Sequence, residues 1–260
     1  MNSGTDRGAN LATAERLMRE AASQGARLLV LPENFAFFGG SEEEKRAARE
    51  DDRNGPTLQF LTEFAARHRV WIVGGSIAVA IPGADKSRNV SFLVDETGKV
   101  RGRYDKIHLF DVDIGDGTRY RESDSVQSGT EAVVVDTPFG RLGMAVCYDL
   151  RFPELFRALS AQGCELFSLP AAFTMVTGRD HWETLLKARA IENFSYVLAA
   201  GQWGLHGGGR QTYGHSMVVE PWGSVVAQCP DGVGFVLAPL EMERVARCRQ
   251  RIPCLTHRRL

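Results

Sequence analysis

No two of the five cysteines, Cys147, Cys164, Cys229, Cys248 and Cys254, stand in C-x-x-C spacing, and an odd number cannot pair completely within one chain. A zinc site or disulfide framework is therefore disfavoured, and a reduced, cytoplasmic setting fits better. A long apolar run is also missing. The longest mostly apolar stretch, Val70 to Pro82, contains Gly74, Gly75 and Ser76 and is too short to span a bilayer. The opening, MNSGTDRGAN, is polar and lacks the basic-then-apolar pattern of a signal peptide. No excess of one charge is present: 31 Lys+Arg against 32 Asp+Glu leave −1, so no strong field draws the chain to nucleic acid or an anionic membrane. There is no Gly/Ser- or Pro-rich linker and no short repeat.

What is there is the composition of an ordinary globular protein, 43% hydrophobic and 24% charged. At 260 residues the chain can bury a sizeable core, and with no sign of a boundary we expect residues 1–260 to form one domain. Apolar spacing predicts a helix from Asn10 to Gln24, stopped by Gly25, and another from Thr57 to Arg69. Short apolar runs at Leu28–Leu31 and Trp71–Ile81 read as buried strands. The charge-crowded stretch from Ser41 to Arg53 reads as a solvated helix or loop. Hairpins are expected at Asn89–Tyr104, at Ala132–Val146 turning at Pro138-Phe139-Gly140, and at Ser216–Gln228 turning at Pro221-Trp222-Gly223. Between them lie predicted helices at Pro153–Gln162 and His181–Phe194 and buried strands at Leu166–Leu169 and Tyr196–Ala200. Helices and strands interleave from end to end, so the fold class is α/β, with two packed mixed sheets covered by helices on both sides.

Three residues at predicted strand ends could carry chemistry. A free cysteine is more often a small core hydrophobe, but Cys147 ends an apolar strand and is followed by Tyr148, Asp149 and Arg151, polar company for a structural position. Glu33 follows the Leu28–Leu31 strand. It could be a turn residue, or a partly buried acid with a raised pKa that exchanges protons near neutrality. Lys106 is embedded beside Ile107, Leu109 and Phe110, where a snorkelling surface lysine is the plain alternative.

With their flanks these residues resemble one family. Leu-Pro-Glu-Asn-Phe, Tyr-Asp-Lys-Ile-His-Leu-Phe and Val-Cys-Tyr-Asp-Leu-Arg-Phe-Pro-Glu-Leu are similar to the three catalytic blocks of the nitrilase superfamily of carbon–nitrogen hydrolases, and Lys106 and Cys147 stand 41 positions apart, as in its amidase branch. Further similar blocks are Tyr120-Arg121-Glu122-Ser123, Ala188 through Asn193, and Tyr213-Gly214-His215-Ser216 through Pro221-Trp222-Gly223. The resemblance implies a four-layer α-β-β-α sandwich of two mixed sheets. It implies Cys147 as nucleophile, Glu33 as general base and acid, Lys106 as oxyanion stabiliser and Glu122 as a second glutamate orienting the lysine. It adds the Tyr148 N–H as an oxyanion donor. Within the superfamily the Gln211–Val219 wording is nearest the branch acting on 2-oxo-acid amides, deaminated glutathione in particular. An ω-amidase or an N-carbamoyl hydrolase is the alternative, and a catalytically inert interaction protein on the same fold is the alternative of another class. For the substrate carboxylate, Arg151, Arg179 and Arg210 are unranked candidates.

No metal or organic cofactor is expected, because no metal-ligand spacing or phosphate-cradling glycine loop is present. The expected partners are a small-molecule amide and a second copy of the chain, with no nucleic acid and no membrane. A homodimer or higher homo-oligomer is implied by the resemblance and by Leu155, Phe156, Leu159, Trp182, Leu185 and Leu186, which offer more apolar surface than one packed face explains. His108 reads as a structural hydrogen-bonder, and His181, His206 and His215 are scattered. The sequence begins at a loop where the family has a first strand, so that strand is expected to be missing and the Leu28–Leu31 strand to have an unpaired edge.

Overall fold

Along the segment Ser87–Val94, Val90, Phe92 and Val94 fall into one apolar cluster and Leu93 into another. Residues Trp71–Val73 split in the same way, Ile72 joining the first cluster and Trp71 and Val73 the second. Successive side chains of a strand leave on opposite faces, so these strands are buried on both. The computed structural model describes residues 1–113 and 119–259. Its first sheet contains β1 (Leu28–Val30), β2 (Trp71–Val73), β3 (Ile77–Ala80), β4 (Ser87–Val94) and β5 (Val100–Asp105). A two-stranded ribbon follows, β6 (Asp111–Asp113) with β7 (Arg119–Arg121). The second sheet contains β8 (Val134–Thr137), β9 (Gly140–Met144), β10 (Leu166–Ala171) and β11 (Tyr196–Gly201). After a further ribbon of β12 (Trp203–Leu205) and β13 (Gln211–Tyr213), β14 (Met217–Val219) and β15 (Val225–Gln228) complete it in the order β15-β14-β11-β10-β9-β8.

Each sheet mixes parallel and antiparallel neighbours: β1 runs parallel to β2 and β9, β10 and β11 run parallel to one another, while the other pairs are antiparallel. Helices α1 (Arg7–Ser23) and α3 (Pro56–His68) cover the outer face of the first sheet through Ala14, Leu17, Met18, Leu58, Leu61 and Phe64. The short α2 (Glu42–Ala47) buries none of its residues, as its charge pattern predicts. On the second sheet lie α4 (Pro153–Ala161) and α5 (Met175–Asn193), held by Leu155, Phe156, Leu159, Trp182 and Leu186. The layers are therefore helix, sheet, sheet, helix. A last helix, α6 (Met242–Arg251), buries only Val245 and Cys248.

Three expectations are corrected. The run Trp71–Ile81 is two strands, β2 and β3, which share one lane beside β4 with one extra residue between them. Gly75 sits in that bulge at φ 55°, and a Cβ there would fall 2.1 Å from the Pro32 carbonyl oxygen. The bulge thus brings the loop after β1 against the sheet, and the Ser76 hydroxyl accepts a hydrogen bond from Asn34 N at 3.1 Å. Secondly, α5 starts at Met175 rather than His181, because the Thr174 side chain caps it. Gly178 lies inside this helix, where the Tyr213 ring packs too close for a Cβ. Thirdly, Leu155, Phe156, Leu159, Trp182 and Leu186 are buried in the chain's own core, so they are not surplus apolar surface.

Among the described residues β1 pairs with β2 alone and forms the edge of its sheet. Residues 1–3 lie between the β12 region and the loop after β1: Met1 O accepts from Trp203 N at 2.8 Å and Ser3 Oγ donates to Phe35 O at 2.7 Å. No described helix is long and apolar enough to cross a membrane.

Candidate active site

Strands from both sheets end at one cleft of about 1140 Å³, and the side chains that the sequence singles out meet there. Glu33 follows β1, Lys106 follows β5, Cys147 lies three positions past the end of β9, and Glu122 opens a short turn after β7. Lys106 Nζ lies 2.9 Å from Glu33 Oε1 and 2.8 Å from Glu122 Oε2. Glu33 and Lys106 are only 3% and 2% exposed. Backbone donors reach both carboxylates, the buried Glu33 and the partly buried Glu122: Glu33 Oε2 accepts from Ala172 N at 3.1 Å and Glu122 Oε2 from Phe110 N at 2.7 Å.

Sequence reasoning missed Asn89. It sits on β4, and its Nδ2 donates to Glu33 Oε1 at 3.0 Å and to Glu122 Oε1 at 3.3 Å, bridging the two carboxylates. Its main-chain oxygen accepts from Lys106 N at 2.9 Å. Only the strand register reveals this role, since no flanking motif marks an asparagine in a strand.

Cys147 is buried and has φ 50°, a left-handed conformation that a residue with a Cβ adopts at a cost of about 1–3 kcal/mol. Asp149, fully buried, holds the turn in place. One oxygen accepts from Val146 N at 2.8 Å and from the Tyr104 hydroxyl at 2.7 Å; the other accepts from His108 N at 3.1 Å and pairs with His108 Nδ1 at 2.7 Å. The turn bearing Cys147 is thereby fastened to the segment bearing Lys106. His108 is accordingly a structural hydrogen-bonder, its ring stacked on Phe152 with centroids 3.7 Å apart. His206 bonds Ser3 O and Thr212, and His215 pairs with Asp231, so neither is directed to the thiol.

The electrostatics differ in one respect from the sequence expectation. Burial pushes the Glu33 carboxyl up, but the charge and hydrogen bond of Lys106, with help from Cys147 and Arg210, outweigh it and hold Glu33 below the ordinary glutamate range. Burial and then the Glu33 charge push the Cys147 thiol well up. Burial lowers the Lys106 ammonium, yet Glu122 and Glu33 more than reverse this and hold it above its ordinary value. At neutral pH the group is a carboxylate and an ammonium beside a protonated thiol. The Glu33 charge and the Cys147 thiol act on each other's proton affinity.

Of the residues proposed for substrate, Tyr148, Arg151 and Arg210 line the cleft. Arg210 donates to Ala172 O at 3.2 Å and lies over the Phe38 and Tyr120 rings; Arg151 lies over Phe173 and against His181. Arg179 is different: it is exposed on α5 and outside the cleft lining, because the helix begins six residues earlier than its sequence pattern suggests. Residues 207–209 form a short turn in the cleft wall.

The chain is also similar to known proteins. The chain is 47% identical to a deaminated glutathione amidase of Yersinia enterocolitica, over 99% of this chain and 90% of that protein. The crystal structure of the Caenorhabditis elegans NitFhit protein superimposes with a TM-score of 0.92 at 41% identity, covering 100% of this chain and 63% of that longer one. Saccharomyces cerevisiae Nit3, described as a member of branch 10 of the nitrilase superfamily, gives a TM-score of 0.89 at 32% identity, covering 100% of this chain and 93% of that one. The carbon-nitrogen hydrolase family model matches residues 1–250, and the chain belongs to that family.

Proposed function

We propose that residues 1–260 act as one amidase unit that hydrolyses deaminated glutathione, the amide of a five-carbon 2-oxo diacid with cysteinylglycine, through a thioester on Cys147. The observation that carries the reading is the strained Cys147 turn, which opens onto the same cleft as a buried Glu33 that Lys106 touches. Glu33 takes the thiol proton as sulfur attacks the amide carbon. The oxyanion that forms meets the Lys106 ammonium and the Tyr148 N–H. Glu33 then returns its proton to the amide nitrogen, the C–N bond breaks and the amine leaves. Water attacks the thioester while Glu33 accepts one of its protons; the carboxylic acid departs and the proton returns to sulfur. Atoms balance with water as the only co-reactant. Glu122 and Asn89 act as positioning residues, keeping Lys106 and Glu33 in register.

The 47% identity to a deaminated glutathione amidase supports the choice of substrate. A comparison of kcat/KM on deaminated glutathione, 2-oxoglutaramate and N-carbamoyl amino acids tests it: the first is expected to be preferred, and preference for an N-carbamoyl substrate contradicts the reading. We further infer a cytoplasmic homodimer. Five free cysteines suit a reducing compartment. Ile191 and Trp222, each 47% exposed and close enough that the Ile191 side chain crowds Gly223, form an apolar patch suited to a second copy. Light scattering at micromolar concentration is expected to give twice the chain mass, and a fully active monomer contradicts this.

A further inference from the structure

Four partly buried arginines line the cleft. Arg88 pairs with Asp105 at 3.0 Å, and Arg151 and Arg210 have the ring and carbonyl partners given above. The Arg49 side chain has no hydrogen bond, ion pair or ring contact among the described residues. A partly desolvated guanidinium without an anion is a costly arrangement that a bound carboxylate relieves.

Strand register places this arginine relative to the reacting groups. Glu50 N donates to Ala78 O and Glu50 O accepts from Ala80 N, so the chain at Glu50 adds a lane outside β3, and Arg49 falls level with Ala78. Ala78 pairs with Asn89 on β4, and Asn89 with Lys106, whose N–H it receives. Arg49, Ala78, Asn89 and Lys106 therefore stand side by side across four lanes, and all four line the cleft. Three lane spacings separate the main chains of Arg49 and Lys106 by about 14 Å. An extended dipeptide leaving group covers about 7 Å from the scissile nitrogen to its terminal carboxylate. The remainder lies within the length of an extended arginine side chain.

We propose that Arg49 binds the terminal carboxylate of the leaving dipeptide, which makes it the residue that distinguishes a peptide-like amide from a primary amide. The inference rests on the deaminated glutathione reading and extends it to one position outside the reacting group. Arg151 and Arg210, beside Cys147 and Glu33, are left for the 2-oxo-acid end.

Three substrates test it: deaminated glutathione, the same molecule with its terminal carboxylate capped as an N-methylamide, and 2-oxoglutaramate. Arg49→Ala is expected to lower kcat/KM on the first by about ten- to a hundred-fold, through KM, and to leave the other two unchanged. Arg49→Gln guards against a folding artefact, with melting temperature measured for both variants, and Arg49→Lys is expected to recover part of the loss. Equal loss on all three substrates, or no loss on the first, overturns the proposal. Wild-type enzyme that hydrolyses 2-oxoglutaramate but not the dipeptide amide overturns it too, while the amidase reading stands. Wild-type enzyme inactive on every 2-oxo-acid amide removes the reading and the inference together.

Discussion

Lys106 Nζ touches Glu33 Oε1 at 2.9 Å in a wall where both side chains are nearly sealed from solvent. An ammonium that also contacts Glu122 is a counter-charge shared by both glutamate side chains.

Replacing that ammonium exposes the dependence. Lys106→Met leaves Glu33 and Glu122 facing each other without a counter-charge, and removing one partner of a buried ion pair costs about 3–5 kcal/mol. We expect loss of measurable turnover together with a lowered urea midpoint. A variant as stable as wild type contradicts the burial argument even if activity is lost.

The pH dependence follows from the sign of the Glu33 shift. Its folded pKa is depressed, so the associated stability is present above the unfolded glutamate value and is lost as pH falls through the lower folded value. The acid limb of kcat/KM, which reports the free enzyme, is therefore expected below the ordinary glutamate range. A limb near neutrality would mean that Glu33 is raised, as its sequence context alone suggests.

Gly75 tests how the sheet presents Glu33. A Cβ at this position meets Pro32 O at 2.1 Å on a left-handed backbone, so Gly75→Ala must displace the loop that carries Glu33. The expected outcome is about 1–3 kcal/mol of lost stability and a fall in kcat larger than any rise in KM. Unchanged kcat in a destabilised variant would show that the loop tolerates the shift.

Asp149 fastens the Cys147 turn to the Lys106 segment through four donors. Asp149→Asn turns one of those contacts into a donor facing a donor, and is expected to slow alkylation of Cys147 by iodoacetamide as well as turnover. His108→Asn, which keeps a side-chain donor for Asp149, is expected to do less damage than His108→Leu. Equal behaviour of the two His108 variants contradicts the assignment.

Much of this arrangement was legible in residue order because local rules produce it. Leu28–Leu31 is apolar and ends at a proline, so a strand delivering Glu33 to its end follows directly, and the cysteine and lysine blocks carry their own flanks. What was hidden depends on register between distant segments. Asn89 acquires meaning only from pairing with Lys106 and facing Glu33. Arg49 sits in a charge-rich stretch that reads as solvent-facing, and nothing local shows that Glu50 bridges β3. Arg179 was misplaced because the α5 cap at Thr174 is a weaker signal than the apolar period starting near His181. The Gly74-Gly75-Ser76 break looked like the interior of one strand because β2 and β3 share a lane.

The central claim is a thioester on Cys147, and intact-mass spectrometry of acid-quenched enzyme after brief mixing with deaminated glutathione tests it most directly. The account predicts added mass equal to the five-carbon 2-oxo acyl group, mapped to the peptide containing Cys147 and absent from Cys147→Ala, which also fails to turn over while remaining folded. An adduct on Cys164, Cys229, Cys248 or Cys254, or undiminished turnover by Cys147→Ala, contradicts it.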